Sequence, residues 1–393
     1  MADMSMTSTG EELQLEHTKE ETDRKCPQCG GVMDFDPSTG MLKCPYCDYM
    51  EEIPAAHNED DGDTAAEELD FASAEQTANC DWGVKKKVII CKACGAESVY
   101  DDLQIANECP YCGSNQVMEE KGEETMAPGG VVPFQLTAKE AAGKFASWIK
   151  RKLFCPRAAK ESTKPGAFKG VYLPYWTFDA HAECSYRGQF GIDRKIKNGD
   201  KVRTVTDWHP IQGHYREDFD DELVLASTRY EESLMKDVEP FNTADNKKYK
   251  PEYVAGFVAE RYSLGLKAAW EKAKNFIRRK LENNIEQKII AEHRADRAKV
   301  EKLNVQYSRI TYKYLLLPIW LSAYQFKGKT YHFMVNGQTG KAGGETPVSW
   351  MRVVIAVLLL ITIFLFCSDY AAYCIITLAI ALVLGAVCWF VKM

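Results

Sequence analysis

Val171-Tyr172-Leu173-Pro174-Tyr175-Trp176 and Tyr314-Leu315-Leu316-Leu317-Pro318-Ile319-Trp320 state one short theme twice, an apolar strand-like run closing on Leu-Pro-x-Trp. Working outward, the first run follows Val132-Pro133-Phe134 and a helical stretch that opens with the capping box Thr137-Ala138-Lys139-Glu140. That helix places Ala141, Phe145, Trp148 and Ile149 on one face. The second run follows Glu239-Pro240-Phe241, the stretch Tyr253-Val254-Ala255-Gly256-Phe257-Val258-Ala259-Glu260, and a helical pattern from about 263 to 303. Pro-Phe, helix, then Leu-Pro-x-Trp reads as a degenerate duplication, with halves at 131–184 and 238–335 inside an α+β domain at 131–345. Prolines inside the strands suggest edge positions or bulges. Past Trp320, Ala323-Tyr324-Gln325-Phe326 and Thr330 to Val335 flank Lys-Gly-Lys as a β-hairpin, and Asn336-Gly337 ends it. Antiparallel strands are therefore expected.

Upstream, Cys26-Pro27-Gln28-Cys29-Gly30 and Cys44-Pro45-Tyr46-Cys47 are fourteen residues apart, and Cys91-Lys92-Ala93-Cys94-Gly95 and Cys109-Pro110-Tyr111-Cys112-Gly113 repeat that separation. Two C-x-x-C turns offer four thiolates to one tetrahedral ion, and glycine after the second cysteine lets backbone amides approach the sulfurs. The chain is expected to carry two zinc ribbons, at 23–50 and 81–120, and two Zn²⁺ ions. Val88-Ile89-Ile90 leads into the third knuckle. Four-sulfur sites also accept iron, so spacing alone leaves the metal open. With every position filled by cysteine there is no open coordination site, and these are folding elements instead of catalytic centres.

The remaining regions are a polar, acidic tail at 1–22, expected to be disordered, and a linker at 51–80. Eleven carboxylates and no Lys or Arg fall between Asp48 and Ala78. At the other end, the segment 349–391 holds two apolar runs separated by Ser368-Asp369-Tyr370. Trp350 to Tyr370 and Tyr370 to Trp389 each span about 28 to 30 Å as helix, the thickness of a hydrocarbon core. A two-helix transmembrane hairpin is expected, with Trp350 and Trp389 at one interface, and Lys341, Arg352 and Lys392 flanking that side. The positive-inside bias then places the ribbons in the cytoplasm, as the lack of a signal peptide and the paired cysteines also suggest.

A net charge of −7 over 393 residues removes the electrostatic footprint of a nucleic-acid binder, leaving only local basic groups such as Lys85-Lys86-Lys87. Gly328-Lys329-Thr330 lacks the first glycine of a phosphate-binding loop and reads as a hairpin turn. Asp179, His181, Glu183, Cys184, Asp207, His209 and His214 carry metal-ligand chemistry without motif spacing. No catalytic constellation and no Walker motif is present, so no enzyme is expected.

The Cys-Pro-x-Cys knuckles, the two Leu-Pro-x-Trp strands, the Tyr253–Glu260 stretch and the C-terminal apolar pair together resemble a family of bacterial membrane-anchored TFIIB-type double zinc-ribbon proteins. That family is often labelled primosomal or replication-factor helicase-like. The resemblance covers most of the chain from Cys26 onward, and only the knuckles are sharp motifs. It implies association with SPFH-domain, virion-core-like and phage-shock-type proteins in envelope stress. The function so expected is a non-enzymatic scaffold or adaptor that presents protein-binding surfaces at the membrane bilayer. The alternative is a membrane-tethered zinc-ribbon protein that binds nucleic acid in replication or transcription.

Overall fold

The computed structural model describes residues 25–53, 65–74, 86–91, 97–101, 117–120, 126–157, 168–198, 201–230, 232–326 and 329–367. The first ribbon forms a small antiparallel sheet of β1 (Asp34–Asp36), β2 (Met41–Lys43) and β3 (Met50–Glu51). The later strands join one curled, mostly antiparallel sheet of twelve strands. These are β4 (Leu69–Asp70), β5 (Lys86–Cys91), β6 (Glu97–Asp101), β7 (Val117–Glu120), β8 (Gly130–Val131), β9 (Lys169–Asn198), β10 (Lys201–Leu225), β11 (Lys247–Lys248), β12 (Val258–Glu260), β13 (Arg297–Phe326), β14 (Lys329–Asn336) and β15 (Ala342–Gly344). The described helices are α1 (Ala138–Lys150), α2 (Glu232–Val238), α3 (Leu266–His293) and α4 (Trp350–Cys367).

The two Leu-Pro-x-Trp runs are cross-strand neighbours at the centre of this sheet. Leu173 of β9 faces Leu317 of β13, and counting outward Pro174 meets Leu316 while Tyr172 meets Pro318. A local twofold axis therefore passes through the Leu173–Leu317 pair. The flanking short strands obey it: β12 lies parallel to β9 with Val258 opposite Val171, and β8 lies parallel to β13 with Gly130 opposite Leu315. The halves are β8-α1-β9-β10 and β12-α3-β13-β14, each placing its short strand against the other's long one. Two tryptophan bonds repeat the exchange, Trp176 Nε1 donating to Leu264 O and Trp320 Nε1 to Leu136 O, each at 2.9 Å.

This geometry corrects the sequence-derived halves of 131–184 and 238–335. Val258-Ala259, not Pro240-Phe241, is the counterpart of Gly130-Val131, because strand pairing and not the Pro-Phe dipeptide sets the register. Pro174 and Pro318 also lie in central strands and not at edges. Their carbonyls accept from Ala226 N and Gly337 N, at the outward junctions where one flanking strand gives way to the next. A residue's N and O point the same way in a strand, so the missing N–H falls where the ladder is already interrupted.

Beyond Trp176, β10, β9 and β13 run on as a long three-stranded ribbon. Ala182, Cys184 and Tyr186 are buried on one face beneath α3, whose Ile277, Leu281, Ile285 and Ile289 form a four-residue stripe. Glu183 and Arg187 are exposed on the other face. The helical pattern expected to run to about 303 stops at His293, where Arg294 turns left-handed (φ 49°) and Ala295 N caps Ile290 O.

Both neighbours of β9 bulge at the same level, β10 between Phe219 and Glu222 and β13 between Ser308 and Thr311, and this bends the ribbon. Asp221 sits there at φ 50°, its amide donating to Asp179 Oδ1 at 2.6 Å. The buried Lys313 ammonium lies 2.8 Å from Asp221 and 3.1 Å from Glu68.

The expected linker at 51–80 is partly folded. Ala66 N donates to Asn246 Oδ1, β4 pairs with Thr311 and Tyr312, and Phe71 packs against Phe178, Trp270 and Tyr312. The carboxylates around these residues mask the apolar Leu69 and Phe71 in any compositional reading.

The expected fold class, an α+β domain closed by a transmembrane helical hairpin, is overturned: a large curled sheet dominates. No described helix is long and apolar enough to cross a membrane. α4 has 18 residues, about 27 Å of helix against a hydrocarbon core of about 30 Å, and its first turn is tied to the domain. Ser349 N donates to Phe154 O at 2.8 Å, and Arg352, expected at a lipid interface, donates to Leu153 O and Cys155 O at 3.1 and 2.7 Å. The second apolar run and Asp369 lie outside the described residues, as does the tail at 1–22. The multi-pass membrane localisation, with its cytoplasmic orientation, falls with the hairpin on which it rested.

Candidate metal centre

The local chain around the first cysteine set is two copies of one turn. Cys26 N donates to Gly31 O and Gly30 N to Cys26 O; Cys44 N donates to Tyr49 O and Asp48 N to Cys44 O. Both turns need a left-handed residue after the second cysteine, supplied by Gly30 (φ 74°) and by Asp48 (φ 59°). Sequence spacing pointed to glycine here, and in the second knuckle a short polar side chain tolerates the same backbone. Lys43 pairs with Asp48 at 3.0 Å.

The turns bring four sulfurs together. Cys26 Sγ lies 3.5 Å from Cys47 Sγ, Cys29 Sγ lies 3.5 Å from Cys44 Sγ, and all four fall within 4.8 Å of one another. Sulfurs around a tetrahedral zinc, each about 2.3 Å from the ion, stand about 3.8 Å apart, so the donor set fits that ion. Cys26 and Cys44 are buried and Cys29 is exposed.

Electrostatics fit as well. Burial pushes the Cys44 thiol up, but the amides of Tyr46 and Cys47 outweigh it and bring the group down to about 7. At Cys47 the Tyr49 amide pulls down while burial and the neighbouring thiols push up, and the group ends at about 12. Cys44 ionises readily while the Cys29 and Cys47 thiols are pushed up; a dication lets all four sulfurs bind as thiolates together.

The ribbon is seated on the sheet domain. Phe35 N donates to Ala255 O at 3.1 Å, the Phe35 and Tyr253 rings meet edge to face at 5.9 Å, and Ala255 shares a small core with Cys26, Met33, Leu42 and Cys44. The Tyr253–Glu260 stretch is thus both a docking platform and the lead into β12. Gly256 (φ 79°) lies against Asp34, and a Cβ there would stand 2.8 Å from the Asp34 carboxyl carbon and 2.9 Å from its Cβ. Gly256→Ala is expected to cost about 1–3 kcal/mol, from left-handed strain plus the clash. Denaturant titration reads that loss, while metal content should stay unchanged because no ligand is touched.

Of the second cysteine set, Cys91 closes β5, paired with Val117 of β7, and the β5-β6-β7 sheet joins the main sheet through β6 and β12. Cys94, Cys109 and Cys112 lie outside the described residues.

The scattered polar residues from Asp179 to His214 do not assemble into one site. Strand alternation puts His181, Glu183 and His214 on the open face, whereas Cys184 is buried opposite, its thiol on Tyr215 O. His181 Nδ1 pairs with Asp218 at 2.6 Å, and His209 stacks on Phe190. Carboxylates of Asp179, Asp220 and Asp221 do lie within 4.8 Å of one another. The Lys313 ammonium beside them supplies the compensating charge, so this is a bulge-fixing ion cluster. Sequence reasoning missed it because Lys313 and Glu68 are far apart along the chain.

Among known proteins, the uncharacterized protein YdjG of Bacillus subtilis (strain 168) is 27% identical over 329 residues, covering 84% of this chain and 91% of the relative. No protein-family model matches the chain, and no solved structure does.

Proposed function

We propose that the protein is a non-enzymatic zinc-ribbon scaffold, in which metal-closed ribbons and the curled sheet form one platform for a protein partner. The observation that carries this is the four-sulfur cage of Cys26, Cys29, Cys44 and Cys47, which offers an ion no open position and is seated on Ala255 of the sheet domain. Such a metal orders a surface and does no chemistry. Cys91, Cys94, Cys109 and Cys112 would hold a second ion in the same way. The open polar face of the long ribbon, with Glu183, Arg216 and Arg309 at its surface, adds a large recognition area whose ion pairs are exposed. The resemblance implies an SPFH-domain or phage-shock-type protein as the partner.

Two measurements on the full-length protein test this. Affinity capture should recover a defined protein partner that is lost on Cys44→Ser. Binding to DNA or RNA in about 0.15 M salt should be weak and without sequence preference, because eleven carboxylates precede the Lys85–Lys87 cluster and repel phosphates. Submicromolar binding to a defined nucleic acid, abolished by Lys85→Glu, Lys86→Glu and Lys87→Glu together, would replace the scaffold with a nucleic-acid binder.

A further inference from the structure

Between the end of β10, the α2 segment with the turn that follows it, and the first half of α3 lies a cavity of about 580 Å³. Its size is that of a small-molecule site. Leu223 and Leu225 of β10, Met235 of α2, Phe241 just after α2, and Phe276 of α3 contribute to its apolar lining. The polar lining is asymmetric in charge. Of the carboxylates, Asp221 is held by Lys313 at 2.8 Å and Glu222 by Lys280, and Glu239 is the third. Against it stand Lys236, Lys272 and Arg279. Lys236 lies over the Phe276 ring, 5.5 Å from its centroid. Lys272 and Arg279 are exposed and have no ion pair with a carboxylate among the described residues. They are seven residues apart on α3, which puts them on one face, two turns or about 10 Å from each other, with Phe276 between them.

We infer that this cavity binds a small amphipathic carboxylate, with its apolar body against Leu223, Leu225 and Phe276 and its head held by Lys272 and Arg279. An apolar cavity rewards burial of a hydrocarbon body, and two uncompensated cations at its rim select a negative head over a neutral or positive one. The site is separate from the cysteine cage and needs no metal. It belongs to one half of the duplication, because α2 and the turn after it follow β10 and have no counterpart directly after β14 among the described residues.

Isothermal titration of the full-length protein with dodecanoate, below its micellar range, tests this against dodecylamine, which has the same chain and the opposite charge. Dodecanoate should bind saturably at one site, and dodecylamine at least about tenfold more weakly. Lys272→Glu with Arg279→Glu should weaken dodecanoate by at least about tenfold while leaving the thermal midpoint unchanged, since both side chains are exposed. Leu223→Trp, which fills the cavity, should weaken dodecanoate in a protein whose rim charges are intact. Equal binding of the two amphiphiles, equal binding of dodecanoate by the charge-reversed protein, or no saturable binding would each overturn the proposal.

Discussion

Cys44→Ser should remove about one zinc equivalent per chain by elemental analysis and unfold the first ribbon, leaving the sheet domain folded. Cys44 is fully buried, its amide closes the second knuckle on Tyr49 O, and its sulfur lies 3.5 Å from that of Cys29. Serine keeps the backbone turn and removes a soft anionic donor. The three-stranded ribbon sheet has a core of only a few side chains, among them Met33 and Leu42, too little apolar area to hold it closed unaided. Structural zinc sites of this type bind with roughly 10–16 kcal/mol, so losing the ion exceeds what such a core supplies. Because the ribbon seats on Ala255 and Phe35 packs on Tyr253, the effect should reach the domain as a modest drop in its midpoint. Full-length protein without bound metal, its cysteines oxidised in pairs, would refute the metal centre.

Trp176→Ala and Trp320→Ala should each cost about 3–5 kcal/mol, with the further loss of one buried hydrogen bond worth about 1 kcal/mol. Trp176 is 1% exposed and its ring meets Tyr314 at 5.0 Å and Tyr262 at 5.4 Å; Trp320 meets Phe134 at 4.8 Å and donates to Leu136 O. Each tryptophan fastens its own half's long strand to the segment that follows the other half's short strand. Both substitutions therefore loosen the exchange and not only the local core. The twofold relation adds a sharper expectation. Trp176→Phe and Trp320→Phe, which keep most of the ring volume and remove the Nε1 donor, should cost similar amounts of about 1–2 kcal/mol in denaturant titrations. A cost below about 1 kcal/mol for Trp176→Ala would show that the exchanged segments are held by something else.

Sequence alone determined what rests on residues close together in the chain. The Cys26–Cys29 and Cys44–Cys47 turns each close within six residues through their own amides, and the Thr137 cap with Glu140 is complete within four. Chemistry on that scale is written in spacing. The pairing of the two Leu-Pro-x-Trp runs, the exchange of short strands and the bulges at Asp221 and Arg309 depend on partners far apart in sequence. Tertiary structure alone decided them. Glu68 reaches Lys313 across 245 positions and Ala66 reaches Asn246 across 180, so composition could show an acidic linker but not the contacts that fold part of it. At the C-terminal end, hydropathy counted apolar residues, whereas helix length and the Arg352 contacts to Leu153 and Cys155 determined what α4 forms. Apolar content is additive along a chain, while burial, register and docking are settled only when distant segments compete for the same neighbours.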